Sequence, residues 1–269
     1  MYIQIVLQSL DKQAVLPINY QYPLAAWIYK TLERGNPKIS EFLHQEGYVD
    51  GHRRFKFYSF SELRTPGAKV RGDRLILTQP EVTLSIRFLA NQAAQSMING
   101  LFQESAPLSI GDQISRSQFR IQSLKMEMLP PLGNQMEFFT DSPLVVSIAD
   151  RNPDGTPGKK YLSPMDENYH QYLLANLQRK YTVAHKAGLI EAPAAPPEIE
   201  YQLLSRHVKE KRIDLMRGQP GYTRVKGYKF RFRLKAPEAV LRLAMLAGMG
   251  EKNAMGFGAL KRNYVPRFN

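Results

Sequence analysis

The order in which strand-like and helical segments follow one another constrains this chain more than any other feature of its sequence. "YIQIVLQ" opens as a strand, with Tyr2 and the Ile and Val positions supplying β propensity. "PLAAWIYKTLER" follows with helical spacing, Pro23 in its first turn and Gly35-Asn36 closing it. "PKISEFLHQEG" adds a short second helix that ends at Gly47. Three strand-like runs come next, "RRFKFYSFS", "RLILT" and "VTLSIRFL", parted by Gly, Pro and charge. The helical "NQAAQSMINGLF" and the strand "SQFRIQSLKMEML" complete the series before Pro130-Pro131. Apart from the small extra helix and some strand variation, this is the β-α-β-β-α-β order of a ferredoxin-like fold.

The order recurs after "PPLGN". "FFTDSPLVVSI" reads as a strand, "DENYHQYLLANLQRKYTVAHKAG" as a long helix and "EIEYQLLS" as a strand, the last two joined by the Pro-rich "EAPAAPPEIE". "YKFRFRLKA", the helix "PEAVLRLAMLA", a glycine-rich loop and a closing strand "FGALKRNY" finish the chain. The expectation is an α+β protein of two tandem ferredoxin-like domains, 1–130 and 131–269, with the boundary near 129–134. No sequence repeat links the halves; the duplication rests on element order alone.

At 269 residues and 43% apolar, the chain is long enough for two cored domains of about 100–150 residues each. It contains no cysteine, which removes disulfides, thiolate nucleophiles and cysteine-ligated zinc and fits a reducing compartment. "MYIQIVLQSLDK" lacks a basic leader and cleavage site, and no apolar run reaches membrane-spanning length, so a soluble cytoplasmic protein is expected. Thirty-seven Lys and Arg against 24 Asp and Glu leave a net charge of +13. Such an excess favours a polyanionic partner, because each phosphate neutralised releases condensed counterions.

The stretch "GMGEKNAMGFGAL" places glycines at 248, 250, 256 and 258. It is no nucleotide-binding loop. Those motifs run strand, glycine turn, helix, whereas these glycines follow a helix and face its partially negative end. Gly248 suits a helix C-cap, and the cluster as a whole permits close approach of backbone to a neighbour. Lys252, Lys261 and Arg262 stand beside it. Upstream, alternation in "YKFRFRLKA" puts Lys229, Arg231, Arg233 and Lys235 on one strand face, an expected phosphate track together with Lys252.

Two residues lie off the apolar stripes of the first helices. Leu24, Trp27, Ile28 and Leu32 form one stripe, and Tyr29 comes about 100° further round. On the second helix, His44 follows Phe42-Leu43 in the same relative place. The basic "HRRFK" lies a few residues on. The expected cluster holds His44 as proton carrier, Tyr29 as hydroxyl donor and Lys56 as fixed cation, with Arg53 and Arg54 as RNA contacts. Strand alternation puts Lys56, Tyr58 and Phe60 on one face, and Arg54 shares that parity. Alternation therefore leaves Arg54 as an alternative cation; Arg53 is another, and His52 an alternative base. No His, Asp or Glu spacing suits a metal, so no metal or cofactor is expected. On RNA, the substrate's own 2′-hydroxyl can be the nucleophile.

"GMGEKNAMGFGAL" resembles the C-terminal glycine-rich signature of the CRISPR-associated endoribonucleases that process precursor CRISPR RNA, in the RAMP superfamily. "LPINYQYPLAAWIYKTL", "FLHQEGY" and "FKFYSFSEL" are similar to successive blocks of the same family's N-terminal domain. The resemblance implies two ferredoxin-like (RRM-like) domains and metal-independent cleavage within CRISPR repeats, leaving a 2′,3′-cyclic phosphate and a 5′-hydroxyl. It carries a Tyr–His–Lys site over to Tyr29, His44 and Lys56, and it makes Gly248 to Gly258 a structural element bordering the RNA cleft. Repeat RNA is then the partner, and a CRISPR effector complex the destination of the product. A non-cleaving RNA-binding subunit of a CRISPR ribonucleoprotein is the alternative, and an unrelated basic protein that binds nucleic acid a third reading.

Overall fold

The computed structural model describes residues 1–152, 154–191, 195, 197–218 and 220–262. The first half follows β1 Tyr2–Ser9, α1 Gln21–Gly35, β2 Tyr58–Phe60, β3 Glu81–Phe88, α2 Asn91–Phe102 and β4 Arg116–Glu127. Its antiparallel sheet runs β2-β3-β1-β4, with Leu108–Gly111 as an added edge strand. The second half follows β5 Gln135–Thr140, α3 Tyr169–Lys186, β6 Glu200–Leu203, β7 Arg231–Lys235, α4 Glu238–Ala247 and β8 Leu260–Arg262, in the order β6-β7-β5-β8. Second, third, first, fourth: each half has the ferredoxin-like arrangement, so the chain is two such folds in tandem.

Alternation decides which face of each sheet is covered. In β1, Ile3, Ile5 and Leu7 are fully buried while Tyr2, Gln4 and Val6 face outward. They meet Leu24, Ile28 and Leu32 of α1 and Ala94 and Met97 of α2. In the second half, Phe138, Phe232 and Leu234 of the sheet pack against Leu173 and Leu177 of α3 and Leu241 and Ala244 of α4. Burying each such Leu or Ile contributes about 1.5–3 kcal/mol. The helices of both halves thus cover one sheet face and leave the other open.

Several expected strands are shorter than their sequence runs. "RRFKFYSFS" breaks into Arg53–Phe55 and Tyr58–Phe60, because Phe57 adopts a left-handed φ of 48° between them. The expected alternation of Lys56 with Tyr58 and Phe60 therefore fails. "FFTDSPLVVSI" divides into β5 and a hairpin strand Ser147–Arg151. "YKFRFRLKA" divides at Phe230, where the Phe230 N–H donates to the Thr140 hydroxyl (3.0 Å) and the pairing partner changes. Lys229 ends a strand Thr223–Lys229 paired with Lys209–Leu215, in a different sheet from Arg231, Arg233 and Lys235. Asn263 and Tyr264 of the expected closing strand, and Ala192–Ala194 and Pro196 of the Pro-rich join, lie outside the described residues.

An ion pair locks the halves together. Arg87 of β3, 2% exposed, meets Asp141 after β5, 7% exposed, at 2.7 Å. Breaking such a pair strands a buried charge, which costs far more than the intact pair contributes. Asp141→Ala should lower unfolding stability by about 3–5 kcal/mol, while Arg87→Met combined with Asp141→Leu should cost much less. Urea unfolding checks this; equal losses in the single and double variants would contradict it.

Candidate active site

Two backbone irregularities assemble the site. The short helix Pro37–Glu41, capped by the Asn36 side chain accepting from the Lys38 and Ile39 amides, runs into a π-helical turn at Phe42–Glu46. Its widened bond runs from the Gly47 N–H to the Phe42 carbonyl, 2.7 Å. Gly47 closes the turn at φ 63°, where an added Cβ would lie 2.9 Å from the Phe55 carbonyl oxygen. Such turns recur at functional sites because they re-aim one side chain. Here that side chain is His44, which stands exposed, its ring edge-on to Tyr29 with centroids 5.6 Å apart.

The positive φ of Phe57 supplies the other half of the cluster. It turns the chain so that the Lys56 ammonium donates to the Tyr29 hydroxyl and lies 4.5 Å from the Tyr29 ring centre. Burial lowers the Lys56 ammonium to about 8 and raises the Tyr29 hydroxyl to about 12. Tyr29, His44 and Lys56 are thus brought together. Arg54 is not part of that contact: its guanidinium donates to the Gln45 carbonyl and braces the π turn beside His44. Arg53 and His52 are exposed, His52 on the turn before Arg53–Phe55.

Lys56 opens onto a cleft of 810 Å³ between residues 53–58 of the first half and α3, the Ser147–Arg151 hairpin and the glycine loop of the second. Arg53, Arg54, Arg179, Lys159 and Lys252 line it as well. Lys159 is paired with Glu251 at 3.4 Å; among the described residues Arg53, Arg54, Lys56, Arg179 and Lys252 have no carboxylate partner. A groove with this many unneutralised cations concentrates anions.

The glycine loop borders the cleft, but most of its glycines serve the protein itself. Gly250 lines the cleft, and a Cβ there would meet the Val145 carbonyl oxygen at 2.3 Å. At Gly258 a Cβ would sit 1.9 Å from the Met249 carbonyl oxygen, and both glycines hold φ 67°. Gly248 and Gly256 press on Ser59 and Phe60 of the first half, so the loop is a wedge between the halves. Lys180 of α3, 1% exposed, holds it: the ammonium donates to the Gly248 and Gly250 carbonyls (2.8 and 3.0 Å) and to Asn253 Oδ1 (2.5 Å). Burial pulls Lys180 down to about 7. The sequence reading missed Lys180, Arg179 and Lys159. A helical wheel places Lys180 beside Leu173, Leu177 and Ala184 on the buried face, which was the available signal.

The expectation that Lys229, Arg231, Arg233 and Lys235 share one strand face is corrected, because Lys229 lies in a different sheet from the other three. None of Lys229, Arg231, Arg233 or Lys235 lines the cleft. Lys229 pairs with Glu62, Arg233 with Glu137 at 2.5 Å and Lys235 with Glu200 at 2.6 Å. Arg231, Arg233 and Lys235 do share one face, but it is the open face opposite the helices, and Lys261 and Arg262 belong to β8 of that same sheet.

The descriptions "CRISPR-associated protein Cas6, N-terminal" and "CRISPR associated protein Cas6, C-terminal" match residues 15–125 and 127–262. The chain belongs to the Cas6 family. It is 26% identical over 260 residues to the CRISPR-associated endoribonuclease Cas6 of Pyrococcus furiosus, covering 96% of this chain and 88% of the relative. A Methanocaldococcus jannaschii protein named CRISPR-associated endoribonuclease Cas6 1 is also 26% identical, covering 96% and 91%. A solved structure described as a RAMP protein binding different RNA substrates superimposes with a TM-score of 0.79 at 23% identity, over 98% of this chain and all of the other. Another, described as CRISPR associated protein Cas6, gives 0.75 at 24% identity over 98% and 99%.

Lys180→Met keeps the length of the side chain and strands three acceptors, so it should cost roughly 3 kcal/mol or more, at about 1–3 kcal/mol per buried group. The unfolded chain holds the Lys180 proton up to its ordinary value of 10.5 and the folded chain releases it near 7. Stability from this group therefore rises with pH across that window. The wild type should gain on Lys180→Met between pH 7 and 9 in chemical denaturation; a constant gap would mean the folded-state value is not depressed.

Proposed function

We propose that this chain is a metal-independent endoribonuclease that cuts precursor CRISPR RNA within its repeats, with the site in a first domain, 1–130, and the cleft completed by a second, 131–269. The observation that carries the reading is Lys56 hydrogen-bonded to Tyr29, with His44 edge-on, at the rim of a cation-lined cleft. The names of the Pyrococcus and Methanocaldococcus relatives support the endoribonuclease class.

His44 takes the proton of the 2′-hydroxyl, whose oxygen bonds to the adjacent phosphorus as the bond to the 5′-oxygen breaks. Tyr29 gives its proton to that leaving oxygen, and Lys56, donating to the Tyr29 oxygen, lowers the cost of the transfer. The Lys56 charge also stabilises the phosphorane more than the ground state. The products are a 2′,3′-cyclic phosphate and a 5′-hydroxyl, and the balance needs no metal. Arg53, Arg54, Arg179 and Lys252 hold the phosphate backbone in the cleft.

Repeat RNA should be cut equally fast in excess EDTA and in magnesium, and a 2′-deoxy substitution at the cut site should abolish cleavage. His44→Ala should slow the single-turnover rate by ~10²–10⁴-fold with little change in affinity. Repeat RNA bound but left uncut by the wild type would place the chain with RNA-binding proteins that do not cut. Cleavage by His44→Ala at the wild-type rate would remove His44 from the mechanism, and a larger loss in His52→Ala would move the base.

The pH profile tests Lys56 separately. The mechanism needs Lys56 protonated, a state held below its value of about 8 and lost above it. The rate at saturating RNA should therefore fall as pH rises through 8. Lys56→Arg should keep part of the rate and extend it to higher pH, because guanidinium stays charged. A rate that climbs through this range would assign Lys56 the role of base.

A further inference from the structure

The open face of the second sheet is divided by charge. Along β7, Arg233 and Lys235 are neutralised by Glu137 and Glu200. The row at its other end carries no carboxylate. There Phe139, on the central strand β5 and half-buried, has Arg231 of β7 directly opposite on one side and Lys261 of β8 on the other. The Arg231 guanidinium carbon lies 5.6 Å and the Lys261 Nζ 5.8 Å from the centre of the Phe139 ring. A hollow beside the ring is walled by Leu204, Ser205 and Arg206. Among the described residues Arg206, Arg231 and Lys261 form no ion pair, whereas Arg233 and Lys235 do.

From this juxtaposition we propose that the open sheet face binds one unpaired nucleotide of the substrate RNA, its base stacked on Phe139 and its flanking phosphates held by Arg231 and Lys261. The proposal rests on the RNA reading above and adds a contact on the sheet face opposite the cleft. The chemistry selects the ligand. Arg231 and Lys261 lie over the ring in the free chain. A base that takes the place of one of them on the ring brings phosphates for the displaced cation to meet, so the row fits a flat π-system joined to phosphates on either side. A base inside a duplex has both faces covered by its neighbours and cannot stack on the ring, so the segment is single-stranded. Gly, Ala or a charged residue at 139 would leave the cations a phosphate track without a base contact.

The test is the affinity of the full chain for a fluorescein-labelled single-stranded RNA of mixed sequence and for the same RNA annealed to its complement. Phe139→Ala should weaken single-strand binding by about tenfold to a hundredfold, the usual loss for one stacked base. Phe139→Trp should retain it, and duplex binding should not respond to either change. Arg231→Ala with Lys261→Ala should flatten the slope of log affinity against log salt by about 0.7 for each phosphate left unneutralised. Ultraviolet cross-linking to RNA carrying 4-thiouridine should label the peptide that contains Phe139. The site is overturned if folded Phe139→Ala, judged by circular dichroism, binds single strands as the wild type does. It is overturned equally if Phe139→Trp loses as much as Phe139→Ala. A wild type that binds neither RNA refutes the RNA reading itself, an outcome distinct from wild-type binding that ignores Phe139.

Discussion

One buried ammonium, Lys180, sets the geometry on which the cleft depends. An ammonium taken out of water without a carboxylate is costly unless each of its protons meets an acceptor. Here all three do, at Gly248, Gly250 and Asn253. The acceptors belong to the loop that presses on Ser59 and Phe60, so one side chain of α3 fixes the contact between the halves and the wall of the cleft together. The same loop reaches further through Glu251, which accepts from the Ser147 amide and hydroxyl at 2.8 Å and so ties the neighbouring hairpin.

A second consequence concerns where positive charge is left over. The excess of +13 is not uniformly available, because pairs such as Lys229–Glu62, Arg233–Glu137 and Arg224–Asp214 consume part of it. Among the described residues, two groups of unpaired cations are the cleft around Lys56, Arg179 and Lys252 and the row around Phe139. Exposed pairs contribute little stability, about 0–1 kcal/mol, so their stronger effect is on where an anion is attracted.

The proposed catalytic cluster depends on departures from regular structure. A π turn points His44 towards Tyr29, and a left-handed Phe57 redirects Lys56 after the strand at Arg53–Phe55 has ended. Such conformations cost of order 1–3 kcal/mol each and persist when the surroundings over-determine them. Phe57 is buried in the second-half core cluster with Phe55, and its carbonyl accepts from Leu89 at 3.0 Å, which holds the unfavourable φ in place.

The sequence alone determined the tandem plan, because element order and apolar periodicity are local: Ile3-Ile5-Leu7 and Leu24-Ile28-Leu32 each specify a period without reference to any partner. It also carried Tyr29 and His44, whose positions off two apolar stripes are a property of each helix by itself. Only the tertiary structure decided which cations are free. Ion pairing joins residues as distant as Lys229 and Glu62, and no single strand records its partner. Tertiary contacts likewise separated Lys56 from Arg54, since a kink at one residue overrides the strand alternation that made the two equivalent. They also gave the glycine loop its role, because the groups that come close to Gly248, Gly250 and Gly256 lie far away in sequence, on Ser59, Val145 and Phe60. Periodicity reports what a segment can bury; what it meets there is set by packing.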